Sequence, residues 1–296
     1  MTLDQLRIFI AVAEQEHMTR AADALRLTQS AVSGAIKALE QRHMISLFHR
    51  IGRKIELTQE GRTFVEEARD VLRSAANAER TLRELRGLRR GEIRMFASQT
   101  TASYWLPDRL VQFRKKYPEI TTQLSIGNTT QVMNAVLAGD GEIGLVEDRV
   151  VHPALLTRPI HKDSLAIVVH SSHPWARIRR LKVSDLLHNE WVLRERGSGT
   201  RSTFEQALRR LRINPAQLKV AYELPSNEAV LAAVKARGGA TAISYAVVSS
   251  GLSSGQLAIV PFQKIERPFL TITHRERRPS IALRAFIEMI ISSDVK

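Results

Sequence analysis

The chain has 296 residues and no cysteine. That absence excludes disulfides, thiolate zinc sites, iron–sulfur clusters and thiol redox sensing. It has no apolar run approaching the roughly 18 residues of a membrane-spanning helix. The opening MTLDQLRIF carries Asp4 and no basic stretch, so no secretory signal is expected and the expected location is the cytoplasm, with no membrane partner. Of the catalytic signatures, neither a Walker nor an H-E-x-x-H pattern occurs. Gly-Ser-Gly-Thr at 197–200 lacks the Lys that follows in a phosphate loop. His170 and His173 have no third ligand nearby. No enzyme activity, metal or cofactor is therefore expected. Negative charge is in short supply: 30 Asp and Glu stand against 44 Lys and Arg, a net of +14. That excess makes a polyanion, double-stranded DNA above all, the first partner to test.

What is present begins with helical periodicity. Leu3, Leu6, Phe9, Ile10 and Ala13 predict one amphipathic helix ending near Glu16. A second fits 19–25 with Thr19 as its cap, and a third fits 29–42 behind Thr28. On the third, Val32, Ala35, Ile36 and Leu39 form an apolar stripe. Ser30, Gly34, Lys37 and Gln41 lie opposite, with Ser33 at the edge. Small and polar residues on the second helix of a close pair are what a helix-turn-helix needs to sink into a major groove. The same periodicity also fits an ordinary helical bundle with a solvated face. Arg50, Arg53 and Lys54 around Gly52, followed by alternating Ile55 and Leu57, suit a small β-wing with a basic tip along a phosphate backbone. A solvated hairpin is the alternative.

From 58 to about 88 there is no Pro, and Gly61, near the start, is the only Gly before Gly87. Phe64, Ala68, Val71, Ala75, Ala78, Leu82 and Leu85 are spaced 4, 3, 4, 3, 4, 3, an apolar seam over three heptads. A helix of that length spans roughly 45 Å. So narrow a seam is expected to pair with a second copy, presenting two recognition helices to a pseudo-palindromic site. Packing against the same chain is the alternative. The run 86–91, RGLRRG, reads as a hinge.

The first sixty residues resemble the LysR-type transcriptional regulators. Phe9, Ala13, Glu14, Ala21-Ala22, Leu25, Gln29, Ala31-Val32-Ser33, Leu39-Glu40, Leu47-Phe48, Arg50, Leu57-Thr58 and Gly61 carry the likeness in register. The resemblance implies that Gln29, Ser30, Ser33, Lys37, Arg50 and Arg53 face DNA, with Lys54 beside them. It also implies antiparallel pairing of linker helices, a dimer or tetramer, and contact with RNA polymerase. Three positions depart from the family pattern: His43-Met44 replace a usual Leu-Gly, Met18 replaces Ser or Phe, and Gly34 replaces Arg or Gln.

Beyond Gly91 short apolar strands alternate with helices, which predicts an α/β domain with a mainly parallel sheet. Strands are expected at 93–98, 121–126, 143–147, 165–170, 191–194, 220–224 and 240–244. Helices are expected at 104–116, 130–138, 200–211, 227–237 and 281–291, the last returning onto the first half. The architecture resembles the periplasmic-binding-protein-like effector domain of LysR-type regulators. The expected organisation is a winged helix-turn-helix at 1–58, a linker helix at 59–90 and an effector domain at 91–296. That domain would comprise subdomain I (91–161 and 267–296) and subdomain II (162–266).

Three segments place hydroxyls or amides at expected helix starts: Ser98-Gln99-Thr100-Thr101, Asn128-Thr129-Thr130 and Gly197-Ser198-Gly199-Thr200-Arg201. Each alone fits a routine N-cap. Together, with Arg194 and Arg201 flanking the last, they suit a small anion. The strings ASQTT, WLP, IGNTTQVMNAVLAGDGEIGLVE and LRERGSGTR resemble the family branch governing sulfur and carbon assimilation. By that resemblance Ser98, Thr100, Thr101, Asn128, Glu147, Ser198, Thr200 and Arg201 line the pocket. The expected effector is a sulfite- or sulfate-like oxyanion or a phosphorylated metabolite. Arg237-Gly238-Gly239-Ala240 departs from the branch's Gly-x-Gly-Ile.

Residues 1–91 carry 16 Lys and Arg against 12 Asp and Glu, whereas 92–296 carry 28 against 18. The case for DNA therefore rests on the placement of Arg50, Arg53 and Lys54 rather than on the total. A solute-binding or sequestering protein with a helical dimerisation module explains 92–296 equally well. It does not explain a polar helix face beside a basic hairpin.

Overall fold

The computed structural model describes residues 1–51, 54–84, 91–252 and 255–293. The chain divides into two compact units, Met1–Arg86 and Gly87–Lys296. The first contains α1 (Leu3–Gln15), α2 (Met18–Leu25), α3 (Gln29–His43), β1 (Phe48–Ile51), β2 (Lys54–Leu57) and α4 (Gln59–Glu84). Thr2 and Gln5 cap α1 reciprocally, each side chain bonding the other's backbone N–H. Thr28 caps α3 as expected, accepting from Ala31 N at 3.2 Å. The cap of α2 is not Thr19. His17 Nδ1 accepts from Thr19 N at 3.2 Å and Arg20 N at 3.4 Å, so an imidazole takes the role expected of the hydroxyl.

Phe9, Val12, Ala21, Ala22, Val32, Ile36 and Leu39 are buried in one core together with Val65 and Ala68 of α4. The apolar seam is therefore divided. Phe64 stacks on Phe9 with ring centroids 5.0 Å apart, and Ala68 is fully buried inside this unit. Val71 and Leu82 are 41% and 66% exposed, and Ala78 is exposed as well. Leu85 lies outside the described residues. The unit's own helices thus cover the start of the seam, which the heptad spacing alone had assigned to a partner throughout.

The second unit contains β3 (Gly91–Ser98), α5 (Gln99–Tyr104), α6 (Leu106–Lys116), β4 (Ile120–Gly127), α7 (Thr129–Ala138), β5 (Ile143–Val146), β6 (Leu155–His170), β7 (Glu190–Arg194), α8 (Gly199–Arg210), β8 (Lys219–Leu224), α9 (Asn227–Lys235), β9 (Thr241–Ser244), α10 (Tyr245–Leu252), β10 (Leu257–His274) and α11 (Ile281–Ser293). The main sheet runs β4-β3-β5-β10-β6-β9. β3 pairs in parallel with β4 and β5, but β10 runs antiparallel to both β5 and β6, and β6 antiparallel to β9. The sheet is mixed rather than mainly parallel. Two long strands, β6 and β10, pass through both halves of the unit. One set of cores gathers 93–160 and 269–290, including Phe286 and Ile290 of α11. The other gathers 165–265 around Trp191 and Phe204. The expected helix at 104–116 is broken at Trp105, where Pro107 opens α6 and α5 ends.

Gly61 sits at the start of α4 against the turn between α3 and β1. A Cβ there would lie 2.2 Å from the carbonyl oxygen of Leu47, which is backbone and cannot rotate away. Replacing Gly61 with Ala is expected to destabilise the first unit by about 1–3 kcal/mol. Thermal denaturation read by a probe in that unit should show a lower midpoint, with the transition of the second unit unmoved.

Candidate functional site

The first candidate surface is the outer face of α3 with the β1–β2 hairpin. Gln29, Ser30 and Lys37 are exposed and Ser33 is half-buried, while Val32, Ile36 and Leu39 hold the opposite face in the core. Gly34 lies on the exposed side, and a Cβ there would meet nothing within 4 Å. The Ser30 hydroxyl is 3.0 Å from Thr28 Oγ1, so it shares in the cap. The helix end is tied to the wing by Glu40, whose Oε1 accepts from Leu47 N at 2.7 Å and Phe48 N at 3.2 Å. Met44, where the family usually has Gly, takes φ 54° and ends α3 in the left-handed region. β1 and β2 form an antiparallel hairpin with Arg50 opposite Ile55 and Ile51 opposite Lys54. Arg53 lies outside the described residues, as do the side chains of Arg50 and Lys54. The basic tip therefore stands as a reading of the sequence.

The second candidate lies in the second unit, at the ends of β3 and β5 and the start of α8. Six of the eight expected pocket residues, Ser98, Thr100, Thr101, Glu147, Ser198 and Thr200, are buried. Ser98 and Ser198 occupy cap positions yet make no side-chain cap bond. The Ser98 hydroxyl bonds Glu147 instead and lies 3.0 Å from Thr101 Oγ1. Thr200 Oγ1 reaches Glu147 Oε1 at 3.5 Å and accepts from Arg267 Nη1 at 3.0 Å. Thr100 accepts from Asn227 Nδ2 at 3.2 Å, and its hydroxyl lies near enough to Glu147 to favour the charged carboxylate. Hydroxyls from three elements thus converge on one carboxylate. Burial pushes the Glu147 carboxyl above the usual carboxylate range, and Arg267 and Arg194 pull it back.

Arg267 is the central residue that the sequence reading missed. Its Nε and Nη2 lie 2.8 and 2.7 Å from Asp163 Oδ2, and its Nη1 lies 3.7 Å from Glu147 Oε1. A signal was available: Ile265, Arg267 and Phe269 are buried in alternation with exposed Lys264, Glu266 and Pro268. Arg194 is committed to Glu195 at 2.8 and 3.0 Å and to Asn227 Oδ1 at 2.7 Å. Arg201 bonds Glu205 at 2.8 Å, Glu223, and the Arg194 carbonyl at 3.1 Å. Asn128 makes a capping box with Gln131, so for this residue the routine cap is what its geometry expresses.

Two cavities flank the cluster. One of about 680 Å³ lies between α7 and α8 and is bordered by Thr129, Thr130, Arg149, Arg196, Ser198 and Arg201. Thr129 is 8% exposed, and its Oγ1 has no hydrogen-bond partner. The other, of about 450 Å³, lies between α8 and the long strands, and Glu147 and Arg267 both line it. Among the described residues no cluster of three or more His, Asp or Glu is placed to hold a metal ion. No described helix is long and apolar enough to cross a membrane.

Residues 3–62 match the family model described as "Bacterial regulatory helix-turn-helix protein, lysR family", and residues 86–293 match "LysR substrate binding domain". The chain is 34% identical over 290 residues to "Uncharacterized HTH-type transcriptional regulator YeiE" of Escherichia coli (strain K12), covering 97% of this chain and 96% of that protein. It superposes with a TM-score of 0.75 on full-length CbnR complexed with its target DNA, at 25% identity over 99% of this chain and 100% of that one. The regulatory domain of Synechocystis PCC6803 CcmR in complex with 2-PG matches with a TM-score of 0.64 and 23% identity, over 69% of this chain and 98% of that one. With both of its units matched in register, the chain belongs to the LysR family of DNA-binding transcriptional regulators and carries that family's effector-binding domain.

Proposed function

We propose that the protein is a cytoplasmic regulator that binds promoter DNA as a dimer or tetramer and answers to a small anion in the cleft of its second unit. The observation that carries the effector class is the convergence of Ser98, Thr100 and Thr200 on one buried carboxylate beside Arg267. Those donors are engaged by Glu147, so an effector oxyanion would meet the carboxylate's remaining acceptor position together with Arg149, Arg210 and Arg267, which line the same 450 Å³ cavity. Thr129, whose buried hydroxyl has no hydrogen-bond partner, borders the 680 Å³ cavity. CcmR, which shares this fold, holds 2-PG. Anion binding would favour one of two subunit arrangements, alter the angle between paired DNA-binding units, and so change engagement of RNA polymerase. The residues divide as 1–58 for DNA, 59–90 for pairing and 91–296 for the effector. Subdomain I takes 91–161 and 267–296, and subdomain II takes 162–266.

On DNA, Gln29, Ser30, Ser33 and Lys37 would meet base edges and nearby phosphates, and Arg50, Arg53 and Lys54 would follow the backbone. Footprinting on the upstream DNA of its own gene is expected to show one salt-sensitive protected site. Changing Ser33 and Arg53 together to Ala should weaken it by about 1–3 kcal/mol. Sequence-independent protection, or no loss in the double variant, would sink this reading in favour of a solute-binding protein.

The exposed half of the α4 seam supports self-association. Leu82→Asp, at a residue 66% exposed, is expected to shift the oligomer toward monomer in sedimentation velocity without lowering the thermal midpoint. For the effector, calorimetry should find a preferred anion, and Thr200→Ala should weaken it about tenfold. Unchanged affinity in that variant would place the site elsewhere.

A further inference from the structure

The donors around Glu147 leave little freedom in how protons are arranged. A hydroxyl carries one proton. Thr200 already accepts from Arg267 and Thr100 already accepts from Asn227, so each has its own proton to direct at Glu147. Ser98 completes the set from the end of β3. A carboxylate offers about four lone-pair sites; the Ser98 and Thr200 hydroxyls take two, and Thr100 is placed to take a third. The cradle is thus occupied by the chain's own anion, with one acceptor position to spare.

The charges nearby do not offset a second anion. Arg267 from β10 is shared between Asp163 of β6, at 2.7 Å, and Glu147, at 3.7 Å. Arg194 from β7 is matched by Glu195 at 2.8 Å. Two cations against three carboxylates leave one unbalanced negative charge, in a place where like charges repel strongly. Carboxylate-sized anions sharing a desolvated site settle the conflict by sharing a proton. Glu147 can accept that proton in a charge-assisted O–H···O bond, while Arg267 and the exposed Arg149 and Arg210, which line the same 450 Å³ cavity, favour the rest of the ligand's negative charge.

Resting on the reading that this cleft takes an anion, we infer that Glu147 makes the site selective for an oxyanion that retains an O–H. Hydrogen phosphate, the monoanions of phosphate monoesters and hydrogensulfite in its O–H form belong to that class. Sulfate, which has only acceptors, does not.

Calorimetry on the full chain at neutral pH tests this with inorganic phosphate, sulfite and sulfate. Phosphate or sulfite is expected to bind about tenfold or more tightly than sulfate. Glu147→Gln, which puts an N–H₂ donor in place of a carboxylate oxygen, is expected to narrow that preference by strengthening sulfate. Sulfate binding as tightly as the other two to the native chain overturns the inference and leaves the anion reading intact. Binding of none of the three removes both. An unchanged preference in a folded Glu147→Gln variant also overturns it. If that variant does not fold, the ratio measured on the native chain still decides.

Discussion

The second unit is organised around one electrostatic requirement: the fully buried Glu147 carboxylate has to be surrounded by donors. Removing such a group from water costs several kcal/mol, and only close hydrogen bonds and an opposite charge offset that. The donors come from β3, α5, α8 and the long strand β10, and Asp163 of β6 in turn holds Arg267 in place. Elements from both halves of the unit therefore share one polar centre. A change in charge at that centre is felt by all of them, which is the property an effector domain needs. The surrounding glycines follow from the same crowding: a Cβ at Gly199 would lie 2.7 Å from Thr129 Oγ1 and 3.3 Å from Cγ of Glu147.

In the first unit the governing constraint is different. Apolar stripes at helical spacing were plain in the sequence, and Phe9, Val12, Val32, Ile36 and Leu39 are buried as that spacing requires. The exposed side of α3 follows by elimination, which is why Ser30 and Lys37 were readable as outward-facing without coordinates. Periodicity was a poorer guide along α4. The heptad is continuous, yet its use is divided, because Phe64 and Ala68 meet α1 of the same unit before the seam runs clear at Val71. Spacing identifies an apolar face but not what covers it.

The strand β10 was not legible. Pro261 and Pro268 interrupt it, and proline is ordinarily evidence against an interior strand. Pro261 falls in an irregularity in the register with β6, between Val260 and Ile265, whereas Pro268 is paired in register with Lys162. Missing β10 meant missing Arg267. The residues expected to line a pocket came from motifs at strand ends, but the cation beside Glu147 lies far along the chain on a strand the propensities rejected. The α2 cap failed for a related reason, since an imidazole acceptor such as His17 is not among the usual capping side chains.

Composition, helical spacing and local motifs determined a cysteine-free chain with short N-terminal helices, a long helix and an α/β region, and the resemblance to LysR-type regulators gave these their reading as a helix-turn-helix and an effector domain. Those properties depend on residues close together in sequence, where one periodicity or one cap suffices. Only the tertiary structure decided that the expected anion cradle is already filled by Glu147. Ser98, Thr200 and Arg267 meet that carboxylate across separations of 49, 53 and 120 positions, and no local pattern encodes such a meeting. Whether a hydroxyl faces a cap, a carboxylate or an open cavity depends on which distant chain segment packs beside it, and that was settled by the packing of β3, α8 and β10 together.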